Sequence, residues 1–362
     1  MERLLVTGGG TGGHITPALA LAEAFLAAGP GRRVLYLGSR SGREVRAAAA
    51  AGIDFAGIPA RGFRGKSIAG RFLFLTTLLR GFLAAHRALG RFRPDAVLAT
   101  GSYVSLPVIL AAKLRGTPVF LQEQNSLPGS VNRLAARWAR AVFIAFPEAR
   151  RFFGDARQVE ELGNPLRSGF RAEAAHGGGE RPSILITGGS QGARTLCLAA
   201  TGALPLLAER HEFSAVVQTG EAEYQSTREA LSKLSPRVEV HGFIEDMAGR
   251  MAGADLVIAR AGAMTLAEIT ALGRPSILVP FPHATDDHQT ANARSLASAG
   301  AAILIPDIEM DGPRLLRELE SLLGDPRRLA RMGEASAVLG RPEAAARIIE
   351  AVENVLARRP GR

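Results

Sequence analysis

Two stretches of this chain, 180 residues apart, carry the same local instruction. Val6-Thr7-Gly8-Gly9 closes one short apolar run, Leu4–Thr7, and Ile186-Thr187-Gly188-Gly189 closes another, Ser183–Thr187. Each run is short, continuously apolar and bounded by glycine, which reads as a buried strand. A glycine-rich turn and then a helical stretch follow in both copies. In the first, Thr16 suits an N-cap and Pro17 the first helical turn, Leu19, Ala22 and Leu26 form an apolar face, and Gly29 is a stop. Strand, glycine turn and helix, met twice, predict an α/β chain of two Rossmann-like domains facing a central cleft. The length agrees, because 362 residues exceed one ordinary core. Gly163-Asn164-Pro165 and the Gly-rich run His176–Gly179 mark the join. The expected domains are 1–163 and 164–341, with 342–362 a helix packing back toward the first, its apolar side formed by Ala346, Ile349, Val352 and Val355.

In open parallel sheets, ligands bind beyond the carboxyl ends of the strands. The polar clusters of this chain fall there. Gly101-Ser102-Tyr103-Val104-Ser105 follows the strand Ala96–Thr100, and Gln122-Glu123-Gln124-Asn125 follows Pro118–Leu121, with Asn132 at the next helix start. In the second half, strands expected at 215–218, 238–240, 256–259, 276–279 and 303–305 lead into loops holding His241–Ile244, Arg260–Glu268 and Pro282–Gln289. Gly8, Gly10 and Gly13 also satisfy G-x-G-x-x-G, the dinucleotide fingerprint. That site needs an acid after the second strand, and Gly38-Ser39-Arg40 follows Val34–Leu37 without one. An NAD(P)-dependent oxidoreductase is therefore disfavoured. Thr265-x-x-Glu268, taken alone, reads as a capping box.

Charge is unevenly placed. Residues 1–163 hold 22 Lys/Arg against 10 Asp/Glu, whereas the remainder is nearly balanced. Residues 61–93 contain eight basic residues and no acid, interleaved with Phe and Leu. Apolar contact ringed by cations suits an anionic membrane surface. The expected docking residues are Phe72, Leu75, Leu79 and Phe82, with Arg71 and Arg80 around them. Aromatics other than Phe are scarce and no recognition motif appears, so nucleic acid is not an expected partner. A single cysteine, Cys197, excludes a disulfide framework and a cysteine metal site. No leader pattern precedes the first strand, and no apolar run is expected to reach the roughly 20 residues that span a bilayer. The expectation is a cytoplasmic protein.

Gly9–Pro17 (GGTGGHITP), Gly101–Ser105 (GSYVS), Glu123–Asn125 (EQN), Gly163–Pro165 (GNP), Gly188–Arg194 (GGSQGAR), Gly262–Glu268 (GAMTLAE) and His283–Asn292 occur in order along nearly the whole chain. Together they resemble the MurG family of lipid-linked N-acetylglucosaminyltransferases. One departure is Gln122, where a histidine often precedes Glu-Gln-Asn. The resemblance implies a GT-B type glycosyltransferase that moves GlcNAc from UDP-GlcNAc to lipid I, at the cytoplasmic face of the bacterial cell membrane. It implies no cofactor and no dedicated metal. In the second domain, Ile244 would offer its main chain to uracil and Glu268 would take the ribose hydroxyls. Ala263, Met264, Thr265, Leu266 and Ala267 would line the diphosphate, which Ser190 and Arg167 would also contact. Gln289, with His288, would read the sugar. In the first domain, Thr11, Gly12, Gly13 and Asn125 would face the sugar. An inverting transfer needs a base for the acceptor hydroxyl, and His14 is the first choice with Glu123 its rival. A related enzyme acting on a diacylglycerol-type lipid and a non-catalytic membrane-docking subunit are the other readings.

Overall fold

The computed structural model describes residues 1–62, 68–154, 156–170, 181–189 and 191–358. The chain divides into two compact units, Met1–Arg167 together with Pro342–Arg362, and Ser168–Arg341. In chain order the first unit holds β1 (Arg3–Thr7), α1 (Gly12–Ala27), β2 (Arg33–Ser39), α2 (Glu44–Ala50), β3 (Asp54–Ile58), α3 (Ile68–Phe92), β4 (Ala96–Ala99), α4 (Ser105–Leu114), β5 (Val119–Glu123), α5 (Ser130–Ala135), β6 (Ala141–Ile144) and β7 (Val159–Glu161). The second holds β8 (Ser183–Thr187), α6 (Arg194–Ala208), β9 (Ser214–Gln218), α7 (Glu221–Leu231), β10 (Val238–His241), α8 (Met247–Ala252), β11 (Leu256–Ala259), α9 (Ala263–Ala271), β12 (Ser276–Leu278), α10 (His288–Ser298), β13 (Ala302–Leu304), α11 (Gly312–Leu323) and α12 (Pro326–Leu339). A last helix, α13 (Ala344–Ala357), belongs to the first unit.

Both sheets are parallel throughout, ordered β3-β2-β1-β4-β5-β6-β7 and β10-β9-β8-β11-β12-β13. The continuously apolar strands follow from burial on two faces. Along β1, Leu4 and Val6 point into a core built with α1 and α13, while Leu5 points into another built with α3 and α4. The second unit packs Ile184 and Ile186 of β8 against Leu196 and Leu204 of α6 and Leu315, Leu319 and Leu322 of α11. In each sheet the strand order reverses beside the first strand, between β1 and β4 and between β8 and β11. Those reversals open a crevice at the carboxyl edge, where ligands of doubly wound folds bind.

Three expectations change. The first helix starts at Gly12, a full turn before Thr16, so Pro17 lies inside it. On α13 the inward face is Ala344, Ala345, Ile348, Ile349 and Val352, and Ala346 is exposed. Gly70–Phe92 within α3, at mean hydropathy 1.3, is long and apolar enough by length and composition to cross a membrane, which the sequence reading did not anticipate. One side of α3 nevertheless rests on the unit. Ala85 and Leu89 are buried in its core, and Gly81 approaches so closely that a Cβ would stand 2.5 Å from the Pro59 carbonyl oxygen.

Fully buried Ile348 ties α13 to the sheet of the first unit. Ile348→Ala should remove about 3 kcal/mol from that unit. Hydrogen exchange should show protection falling in β1 and α1 and unchanged in β8 and α6. Equal loss in both units would contradict the assignment of α13.

Candidate active site

At the carboxyl end of β1 the chain turns where no side chain fits. A Cβ on Gly8 would lie 2.0 Å from Thr100 Oγ1, and one on Gly9 2.4 Å from Glu44 Oε1. Gly10 adopts φ +80°, open to glycine at no steric cost. Glu44 is fully buried beneath this turn and accepts from the Ser39 amide at 3.0 Å. Gly42 crowds the same carboxylate and Gly38 its Cγ, each too close to carry a Cβ. Tyr36 donates to the Gly8 carbonyl at 3.0 Å, and burial with Glu44 nearby pushes its phenol above its ordinary range.

His14 stands in the first turn of α1. Its Nδ1 is 2.8 Å from the Thr100 carbonyl oxygen. A carbonyl only accepts, so Nδ1 carries the hydrogen and the neutral ring keeps its lone pair on Nε2. Thr100 answers by donating Oγ1 to the His14 carbonyl at 2.7 Å. Gln124 also donates to the Thr100 carbonyl, at 2.9 Å. Thr11, Gly12 and Gly13 are exposed at the helix start, where amides lack intrahelical acceptors.

Glu123 is the last residue of β5. It is 1% exposed. Oε1 accepts from the Asn125 amide at 3.0 Å and side chain at 3.4 Å, and Oε2 from the Gly129 amide at 3.2 Å and Asn132 Nδ2 at 2.9 Å. Both oxygens are spent on shaping the loop after β5, which places Asn125. Gln122, the departure from the family pattern, is buried and donates to Asn164 Oδ1 at 2.9 Å. Asn164 in turn donates to the Gln124 carbonyl at 3.1 Å.

The glycine turn of the second unit is closed backbone to backbone. A Cβ on Gly188 would meet the Ala193 nitrogen at 2.2 Å, and one on Gly192 the Thr219 oxygen at 1.8 Å. Gly189 (φ +74°) and Gly192 (φ +77°) take the left-handed bends. Gln218, buried behind them, donates to the Gly189 carbonyl at 3.0 Å. Ser190, expected here, lies outside the described residues. Arg167 belongs to the first unit, where it ion-pairs with Glu23 of α1 at 2.9 Å.

Ile244, nearly buried, follows β10, beside exposed Phe243. After β11, Arg260 bonds the Val279 and Pro280 carbonyls at 3.1 and 3.2 Å and pairs with Asp307, bracing the loop into α9. That helix begins at Ala263 with Gly262 at the N-cap and no side-chain cap. Thr265 and Glu268 therefore lie inside it, and the capping box does not form. Ala263, Met264 and Leu266 are buried, with Thr265, Ala267 and Glu268 half-buried. Among the described residues no hydrogen bond or ion pair engages the Glu268 carboxyl, and burial pushes it up to about 8. Gln289 accepts from the Phe281 amide at 2.9 Å through its side-chain oxygen. His288 opens α10 next to it.

Sequence reading missed Thr100, Gln124 and Gln218 as positioning residues. Their position at strand ends was the available signal, and their partners are set by sheet order. Among the described residues no three His, Cys, Asp or Glu side chains converge as metal ligands. On α3, Phe72, Leu75 and Leu79 are exposed, as are Arg71 and Arg80. Phe82 instead turns toward the core and stacks on His86, while Leu83 continues the exposed stripe. Helical spacing explains the exchange, since at about 100° per residue position 83 falls closer than 82 to the line through 72 and 79.

Residues 4–144 match the glycosyltransferase family 28 N-terminal domain, and residues 183–348 match the family 28 C-terminal domain. A UDP-N-acetylglucosamine–N-acetylmuramyl-(pentapeptide) pyrophosphoryl-undecaprenol N-acetylglucosamine transferase of Anaeromyxobacter sp. (strain K) is 44% identical, covering 99% of this chain and 94% of its own. The transferase of the same name from Myxococcus xanthus is 42% identical over 95% of this chain and 91% of its own. The crystal structure of Acinetobacter baumannii MurG is 30% identical, with a TM-score of 0.79 over 98% of this chain and 100% of its own. A Neisseria meningitidis UDP-GlcNAc 2-epimerase structure, 15% identical with a TM-score of 0.69, shares the fold. With both of its domains matched in order, this chain belongs to glycosyltransferase family 28.

Proposed function

We propose that this protein transfers GlcNAc from UDP-GlcNAc to the muramoyl 4-hydroxyl of lipid I, an undecaprenyl-diphosphate acceptor, with inversion at the anomeric carbon. Lipid II and UDP are the products. Near-full-length identity to transferases of that activity carries the reading. The two sites supply the chemistry.

His14 Nε2 takes the proton of the acceptor hydroxyl as its oxygen attacks the anomeric carbon from the face opposite UDP. The bond from that carbon to the diphosphate oxygen breaks, and UDP departs with the electron pair. The Thr100 carbonyl, fixed on Nδ1–H, stabilises the imidazolium that forms. Glu123 is the positioning residue that sets Asn125 and the loop after β5. In the second unit, Ile244 offers its main chain to uracil, and Glu268 accepts from the ribose. Amides at the start of α9, with the turn holding Ser190, neutralise the departing diphosphate. Gln289 reads the donor sugar. An acceptor with a polyprenyl tail stays in the bilayer, so the exposed stripe Phe72, Leu75, Leu79 and Leu83, flanked by Arg71 and Arg80, docks the enzyme on an anionic cytoplasmic membrane face.

Wild type should release UDP from UDP-GlcNAc in the presence of a lipid I analogue. His14→Ala should lose about a hundredfold or more in kcat while binding donor normally by calorimetry. A variant nearly as fast as wild type removes His14 as base. Turnover with a diacylglycerol acceptor in place of lipid I moves the enzyme to another lipid.

Donor binding should also respond to pH. The free Glu268 carboxyl is pushed up to about 8, and ribose hydroxyls favour its ionised form. Binding should then release a proton below that pH, and affinity should rise between pH 6 and 8 and level off above. Calorimetry in buffers of different ionisation heat reads the proton directly. A pH-independent affinity, or an unchanged slope in Glu268→Gln, would remove Glu268 from the ribose.

Co-sedimentation with vesicles should depend on anionic lipid and fall severalfold in Phe72→Ser/Leu79→Ser. Binding indifferent to both changes would dismiss α3 as the docking element.

A further inference from the structure

Four of the loops at the carboxyl edge of the second sheet meet at one ion pair. Asp307 stands in the turn between β13 and α11, three residues past the strand. Its Oδ2 accepts from Thr195 Oγ1 at 3.2 Å, and its Oδ1 pairs with Arg260. Thr195 is the second residue of α6, where the glycine turn of this unit ends. Arg260 lies between β11 and α9, three residues before that helix begins. The guanidinium nitrogen that meets Asp307 also donates to the Val279 and Pro280 carbonyls after β12, at 3.1 and 3.2 Å. Phe281 comes next, its ring centre 5.8 Å from Arg260 Cζ, and its amide is the one Gln289 accepts.

Burial in this turn runs against hydrophobicity. Ile308 is 96% exposed, while the Asp307 and Arg260 side chains are only 20% and 12% exposed. Apolar burial alone would turn the segment the other way. Drawing a charge pair out of water is costly unless its remaining lone pairs find donors, and Thr195 is that donor. The carboxylate therefore ties three side chains, up to 112 residues apart in sequence, into one fixed spacing.

We infer that Asp307 is a positioning residue for the donor diphosphate, holding the starts of α6 and α9 at a set separation so that their free amides converge on it. The assignment rests on the UDP-GlcNAc reading above. Helix starts carry amides without intrahelical acceptors, and these favour anions. Two such ends serve one diphosphate only when their spacing is fixed, because hydrogen bonds to charged oxygens hold within a narrow range of distance. Asp307 acts on that spacing through Thr195 and Arg260, with its own charge matched by the guanidinium. Ile244, which follows β10, belongs to none of the four loops, so uracil recognition stands apart from this arrangement.

Calorimetry with UDP and with uridine tests this. Asp307→Ala should weaken UDP about tenfold or more and leave uridine as in wild type. Thr195→Val should take part of that loss, and the double variant Thr195→Val/Asp307→Ala should lose no more than Asp307→Ala alone. Asp307→Asn, which still offers an oxygen to Arg260, should fall between Asp307→Ala and wild type. An unchanged UDP affinity in Asp307→Ala overturns the assignment. So does an equal loss for uridine, which would mean a disturbed unit, and so does a gain for UDP, which would mean that the carboxylate withholds Arg260 from the phosphates. If wild type binds UDP no better than uridine, the UDP-GlcNAc reading fails and the assignment with it. If wild type favours UDP and Asp307→Ala favours it equally, the assignment fails alone.

Discussion

Two hydrogen bonds between the first turn of α1 and the end of β4 hold the first unit's glycine turn in register. His14 donates from its ring to the Thr100 carbonyl, and Thr100 returns a hydroxyl to the His14 carbonyl. The pair spans the reversal of strand order, the place where a doubly wound sheet has an open crevice. It selects the imidazole tautomer and therefore which nitrogen can take a proton. It also depends on the early start of α1. Were that helix to begin at Thr16, His14 would lie in a loop with its backbone uncommitted. Pro17 inside the helix removes the amide that would bond the Gly13 carbonyl, a loss tolerated one turn from an open end.

The two units use one supersecondary plan to opposite effect. In the first, the glycine turn is floored by a buried carboxylate and topped by tyrosine; a Cβ on Gly12 would meet nothing within 4 Å and one on Gly13 only Thr11 Oγ1, at 3.8 Å. Room remains there for a bulky partner. In the second, Gly188, Gly192 and Gly220 press backbone on backbone, and the glycines serve compactness as much as access. Glu268 of that unit, inside α9, is raised by burial. One half is organised around an imidazole fixed by a main-chain carbonyl, the other around a carboxyl raised by burial.

The architecture was legible in the sequence because periodicity and glycine punctuation act locally. The apolar runs, the repeat at Gly8 and Gly188 and the clusters at strand ends all declared themselves. Helix starts were harder. A threonine before a proline is a strong local signal, yet at Thr16 tertiary packing of Ile15 and Ala18 into the core drew the preceding turn into the helix. Likewise Thr265 and Glu268 have capping-box spacing, but Gly262 takes the cap because β11 ends three residues earlier. Roles that depend on partners distant in sequence were not legible. The four donors to Glu123 and the pairing of Arg167 with Glu23 come from residues that sheet order and folding bring beside them.

The carboxylate of Glu44 sits among Gly9, Gly38 and Gly42, none of which could carry a methyl group without striking it or its stem. These four positions come from three separate segments and share one small volume. A larger residue at any glycine demands a shorter one at 44, and a shorter one at 44 leaves an empty space and an unanswered Ser39 amide. Single steps away from this arrangement are all unfavourable, whereas joint replacement is open. In a lineage descended from such a chain, the four sites should drift as a block or not at all, and a graft of the first glycine turn into another scaffold should carry the second strand's exit with it.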